Sequence, residues 1–154
     1  MTKVFVVYDS KYGNTKRVAE KIAEGLTENE GIEVTLGYVK DANLQQIAAS
    51  DALVIGAPNH MGKPSRTITQ FIDKLPTLNI KARWITVFDT YFAREKNRAK
   101  AMRKMEKHVS EKLPHVKLIS PGLSVMVHGV MGPIAEGELD KSMEFGRNLA
   151  SQLT

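Results

Sequence analysis

The chain of 154 residues has no cysteine and only four histidines, at positions 60, 108, 115 and 128. The first absence removes disulfides, thiolate nucleophiles and thiolate metal sites together. The histidines show no HxxxH or HxH spacing, so nothing supports a histidine metal site. No apolar run approaches the roughly 20 residues of a membrane helix. The opening MTKVFVVYDSKYG places one basic residue ahead of an apolar run of about five, where a secretory leader needs roughly 7–15. It reads as a first strand, and the expected location is the cytoplasm. No paired carboxylates and no Ser/His/Asp arrangement stand out, which leaves a hydrolase without support.

What is present is ordinary for a globular chain: 42% hydrophobic and 25% charged residues. The length suits one domain, 1–154, built on one sizeable core. The net charge of +5 is not spread evenly. Between 94 and 107 stand seven basic residues (Arg94, Lys96, Arg98, Lys100, Arg103, Lys104, Lys107) and two acids, so this segment holds as much net charge as the whole chain. A basic balance fits nucleic acid, an acidic protein or an anionic ligand. The run has no interleaved aromatics, which argues against nucleic acid.

Two periods alternate along the chain. Residues 3–8 form a short apolar run, as a buried strand does. Val18, Ile22 and Leu26 then recur every fourth residue, one face of a helix that Gly31 ends. Strands are expected at 32–36, at 51–57 (stopped by Pro58) and at 83–88. A fifth strand region spans 116–119 and 123–127, interrupted by Pro121-Gly122. Helices are expected at 44–49, from Ser65 as cap through Ile68, Phe71, Ile72 and Leu75, around Met102, Met105, Val109 and Leu113, and from about Gly137. Apolar strands alternating with amphipathic helices predict an α/β fold: a three-layer, doubly wound, five-stranded parallel sheet in the order 2-1-3-4-5.

In such a sheet ligands bind beyond the C-terminal ends of the strands. Four loops lie at that edge: DSKYGNT, PNHMGKPS, DTYFAREKN and HGVMGPIAEG. In the first, Ser10, Asn14 and Thr15 offer side-chain donors and Gly13 permits close backbone approach. The helix that follows carries Lys16 and Arg17 first, and no acid before Glu20. A helix start answered by no acid suits an anion such as a phosphate, although Ser10 or Asn14 could instead cap it. The loop is neither a Walker A loop nor GxGxxG. Asn59 and His60 could bond to a ligand edge, and Met61-Gly62 offers a flexible peptide. Tyr91, amphipathic, is the better candidate to stack on a flat ring, whereas Phe92 reads as readily as packing under the long helix. A receiver domain would need an aspartate ending strand three. Ala57-Pro58 stands there, so phospho-aspartate signalling is excluded.

These motifs, taken in order, resemble the flavodoxin family. VVYDSKYGNT is similar to its phosphate loop, ALVIGAPNHMGKPS and VFDTYF to its second and third flavin loops, and GPIAEGELDKSMEFGRNLA to its last helix. The resemblance covers essentially the whole chain, of the short-chain type, and extends to the flavodoxin modules of larger flavoproteins. It implies non-covalent FMN and electron transfer. Ser10, Lys11, Tyr12, Gly13, Asn14 and Thr15 would hold the 5′-phosphate. Pro58, Asn59, His60, Met61 and Gly62 would line one side of the flavin ring. Asp89, Thr90, Tyr91 and Phe92 would line the other.

The resemblance therefore implies an electron carrier between a reductase and an acceptor, rather than a stand-alone enzyme. Family members are usually acidic, and this chain is basic. The 94–107 segment would dock an acidic partner and make the second electron easier to add to the flavin. The alternatives are an FMN-dependent reductase of quinones or other small molecules, or a module without FMN that binds an acidic partner.

Overall fold

The computed structural model describes residues 1–92 and 95–154. Its elements run β1 (Thr2–Tyr8), α1 (Asn14–Thr27), β2 (Ile32–Tyr38), α2 (Leu44–Ala49), β3 (Ala52–His60), β4 (Lys63–Pro64), α3 (Arg66–Lys74), β5 (Trp84–Phe92), α4 (Lys100–Lys112), β6 (Lys117–Leu118), β7 (Leu123–Val127) and α5 (Glu138–Leu153). The parallel sheet has the order β2-β1-β3-β5, with β6 and β7 both pairing β5. β6 and β7 are the two halves of the expected fifth strand, so the order 2-1-3-4-5 holds. β4 adds a short antiparallel hairpin to the end of β3.

Successive strand residues point to opposite faces, and both faces are apolar. Phe5, Val7, Ile55, Ile85 and Val87 pack with Ile68 and Ile72 of α3 and Met105 and Val109 of α4. Val4, Val6, Val54 and Phe88 pack with Val18 and Ile22 of α1 and Leu149 and Leu153 of α5. The result is three layers. On the second side the helices meet backbone to backbone: a Cβ on Gly146 would lie 2.2 Å from the Ile22 carbonyl oxygen, and one on Gly25 2.1 Å from that of Met143. Arg147 fixes the pair with two bonds to Glu28, at 2.6 and 3.2 Å.

Three strands run further than the sequence suggests: β2 reaches Tyr38, and the longer β3 and β5 shape the ligand edge. β3 does not stop at Pro58 but pairs on, Pro58 opposite Thr90 of β5. The Asp9 N–H donates to Gly56 O at 3.0 Å, so Gly56 turns its peptide groups toward β1. Pro58, two residues on, faces the same way, past the end of β1. Its missing N–H therefore breaks no ladder bond. β5 runs through Asp89 and Thr90 to Phe92, because β7 pairs with it along that whole stretch. Among the described residues no helix is long and apolar enough to cross a membrane.

Candidate functional site

The C-terminal ends of β1, β3, β5 and β7 bring the four loops around one cleft. Its inner end, about 100 Å³, is lined by Ser10, Lys11, Tyr12, Asn14, Thr15, Pro58, Asn59, His60, Thr90, Phe92, Val127 and Val130. A wider outer end of about 620 Å³ shares Asn59, His60, Phe92 and Val130 and adds Met61, Lys96, Asn97 and Lys100. No Asp or Glu lines either part, among the described residues.

The inner end is the start of α1. Gly13 is its N-cap with φ 92°, and no side chain caps the helix. The left-handed backbone is one that glycine adopts without strain. Ser10 Oγ accepts the Gly13 N–H at 3.0 Å, folding the loop back on itself. The first bond of the helix is Arg17 N–H to Gly13 O at 3.0 Å. The N–H groups of Asn14, Thr15 and Lys16 therefore take no carbonyl of the described protein. No acid stands in the first turn. By contrast, α5 carries Glu138 and Asp140 in its first turn, and the Met102 N–H of α4 donates to Asp89 at 3.0 Å. α3 also begins without an acid, but its first residue, Arg66, lines a separate groove. The positive end of α1 thus opens into the cleft unanswered, as an anion site requires. Lys11 and Tyr12, both exposed, stand beside it, the ammonium 5.4 Å from the ring centre. Thr15, buried, shares a 2.9 Å hydroxyl bond with Thr90, which pins α1 to the end of β5.

The second loop is built differently from expectation. The side chain of Asn59 is spent on the protein itself. Its Oδ1 accepts the Gly62 N–H at 2.7 Å, and its Nδ2 donates to the Asn97 carbonyl at 2.8 Å and to Asp89 at 3.4 Å. It holds the hairpin turn in place. Met61 and Gly62 form that turn with φ 54° and 90°, the double positive-φ pattern of a tight two-residue hairpin. Met61 is 92% exposed, and His60 is exposed at the cleft wall.

The third loop reverses the expected roles of its aromatics. Thr90 reaches Thr15 of α1 and Asp89 reaches the backbone of α4, so they occupy opposite faces. By alternation Tyr91 follows Asp89 and Phe92 follows Thr90. Tyr91 is 5% exposed and does not line the cleft, whereas Phe92 is 40% exposed and lines both ends of it. Nor does Asp89 edge the cleft. It is fully buried and accepts bonds from Ser124 Oγ, the Met102 N–H and Asn59. Burial raises its pKa above the ordinary carboxylate value, and those three donors oppose the rise.

Residues beyond the expected set also line the cleft: Val127, Val130, Asn97 and Lys96 with Lys100. The loop HGVMGPIAEG stood at the right edge of the sheet, and an apolar Val130 exposed between glycines was its available signal. Gly132 packs over Asn14, where a Cβ would lie 2.8 Å from Oδ1. Arg94 of the basic segment lies outside the described residues.

A flat, phosphate-bearing ligand fits this arrangement. It would find an anion cradle at the narrow end, apolar Phe92 and Val130 in the middle, and a wide mouth. Comparison with known proteins agrees. The flavodoxin-domain family profile matches residues 5–128. A flavodoxin of Aquifex aeolicus is 42% identical over 73 residues, 47% of this chain and 40% of that one. The type A flavoprotein fprA of Rhodobacter capsulatus is 28% identical across 98% of this chain and 33% of its own length. The match thus spans about two fifths and one third of those two relatives. A flavodoxin from the domain Archaea superposes with a TM-score of 0.82 at 22% identity, over 99% of both chains. The matched profile, together with the unanswered helix start and the three surrounding loops, places the chain in the flavodoxin family, whose members bind FMN.

Proposed function

We propose that this protein carries electrons between a reductase and an acceptor, with FMN held along the cleft. The observation that carries the reading is the start of α1, whose free N–H groups, positive-φ Gly13 and absent acid open on the cleft. Ser10, Lys11, Tyr12, Gly13, Asn14 and Thr15 would hold the phosphate. Pro58, His60 and the Met61-Gly62 turn would flank one side of the ring, and Thr90 and Phe92 the other. Asn59 and Asp89 hold those walls in place from behind. FMN supplies one- and two-electron chemistry, and the protein sets its potential. Among the described residues the cleft contributes cations and no carboxylate, which suits an acidic partner.

FMN titration tests the assignment. Protein stripped of flavin should quench added FMN fluorescence in a one-to-one stoichiometry. Phe92→Ala should weaken that binding about tenfold, the loss of roughly 1–1.5 kcal/mol of ring contact. A protein that is colourless and takes up no FMN would sink the reading. Weakening by Tyr91→Phe with no effect of Phe92→Ala would return the ring wall to Tyr91.

A further inference from the structure

The cleft mouth is one end of a longer positive strip. A second cavity, about 410 Å³, lies on the far side of the β3–β4 hairpin, between α3 and α4. Lys63, Arg66 and Lys104 line it, as Lys96 and Lys100 line the mouth, and among the described residues no acid lines either. Lys100 and Lys104 are one helical turn apart and so share a face of α4. Among the described residues none of these five cations has an ion pair. Two ion pairs of this region, Lys107–Glu111 at 4.0 Å and Lys112–Asp73 at 3.8 Å, lie further along α4, and His108, which lines the second cavity, stands 2.8 Å from Asp73.

The opposite helical layer differs. α1 and α5 together carry five Lys/Arg and five Asp/Glu, while α3 and α4 carry seven and three. On α1 and α5 the acids balance the bases, and several of them pair: Lys21–Glu24, Lys141–Glu138, and Arg147 with Glu144 and with Glu28 just past α1, while Lys16 and Arg17 at the α1 start have no ion pair among the described residues. The positive field is therefore one-sided. It borders an exposed apolar group at the mouth, with Met61 92% and Val130 63% exposed beside Phe92. Apolar centre and charged rim are the usual anatomy of a protein contact. A second copy of this chain would bring a like-charged strip against this one.

Building on the electron-transfer reading, we propose that the strip Lys96–Lys100–Lys104, with Lys63 and Arg66 across the hairpin, is the docking surface for an acidic redox protein. The partner sits off-centre, over the α4 side of the cleft rather than the α1 side. Its acids meet α4 while its apolar centre meets Met61 and Val130.

The test titrates the flavin-loaded protein with a purified acidic [2Fe–2S] ferredoxin as probe, by calorimetry at low and moderate salt. Arg66→Glu with Lys104→Glu should weaken binding about tenfold or more and flatten its salt dependence. Lys21→Glu with Lys141→Glu alters net charge equally on the other layer and should change affinity less than about threefold. Equal losses in both pairs would mean that net charge alone attracts the probe, and would overturn the proposal. So would no loss in either pair, no binding of the probe at low salt, or self-association of the holoprotein in its place. Neither pair lines the flavin cleft. Flavin absorbance in the same samples therefore reads the electron-transfer proposal, and affinity for the probe reads this one.

Discussion

Asp89 shows how one residue organises the site without standing in it. Its carboxylate ties β5 to β7 through Ser124, caps α4 through the Met102 N–H, and steadies Asn59, which in turn holds the Gly62 N–H. Asp89→Leu would leave these donors buried without an acceptor, at a cost of about 3–5 kcal/mol. Asp89→Asn keeps the shape and reports the charge. Burial raises the pKa of Asp89 in the folded protein, so the native state holds that proton to higher pH than the unfolded chain does. Stability from this group is therefore greatest below the ordinary carboxylate pKa, falls as pH rises through the raised value, and is level above it. In urea melts across the acid range, wild type should lose stability relative to Asp89→Asn as pH rises through the raised value. A difference that stays constant with pH would show that Asp89 is not its source.

At the scale of elements, the α1–α5 contact sets where the start of α1 sits, and with it the proposed phosphate site. Gly146→Ala would place a methyl 2.2 Å from Ile22 O. Alanine gains about 1 kcal/mol in helix propensity, yet the backbone clash should leave a net loss of about 1–3 kcal/mol. It should also weaken FMN binding, because α1 moves as a unit. Thermal melts and flavin titration check both, and a stabilised variant with intact binding would refute the contact. The periodicities of Val18, Ile22 and Leu26, or Met102, Met105 and Val109, made these helices legible, because packing on a flat sheet demands that spacing. The strand ends were not legible. Pro58 looks like a stop until β1 is seen to end beside it. Asp89 and Thr90 look like loop until Ser124, Met102 and Thr15 are seen to satisfy them. Whether Tyr91 or Phe92 faces the cleft depends on how far β5 continues, and β7 decides that from some 35 residues downstream. The acid-free start of α1 was legible because its chemistry is local: glycine, small polar residues and a helix whose first charges are Lys16 and Arg17. Ser65 was expected to cap α3 and does stand at its N-cap, but its hydroxyl makes no capping bond.

Over the whole molecule, the one-sided charge should act on the flavin as well as on a partner. Two cations, Lys96 and Lys100, line the cleft mouth, and no described carboxylate opposes them there. Adding the second electron places more negative charge in the cleft, and nearby cations favour it. A cation at a wet rim is worth roughly 0.5–1 kcal/mol to that charge, or about 20–40 mV for one electron. Lys96→Gln with Lys100→Gln should therefore lower the second reduction potential by about 40–80 mV at low salt. Lys107→Gln with Lys112→Gln, on cations already paired with Glu111 and Asp73, should move it much less. At about 1 M salt, where the screening length falls to roughly 3 Å, the two variants should approach the wild type. Spectroelectrochemical titration at both salts measures all of this. An unchanged or raised potential in Lys96→Gln/Lys100→Gln would mean that solvent screens the mouth completely. The basic side of the molecule would then act on partners alone, and the potential would be set by the walls of the cleft.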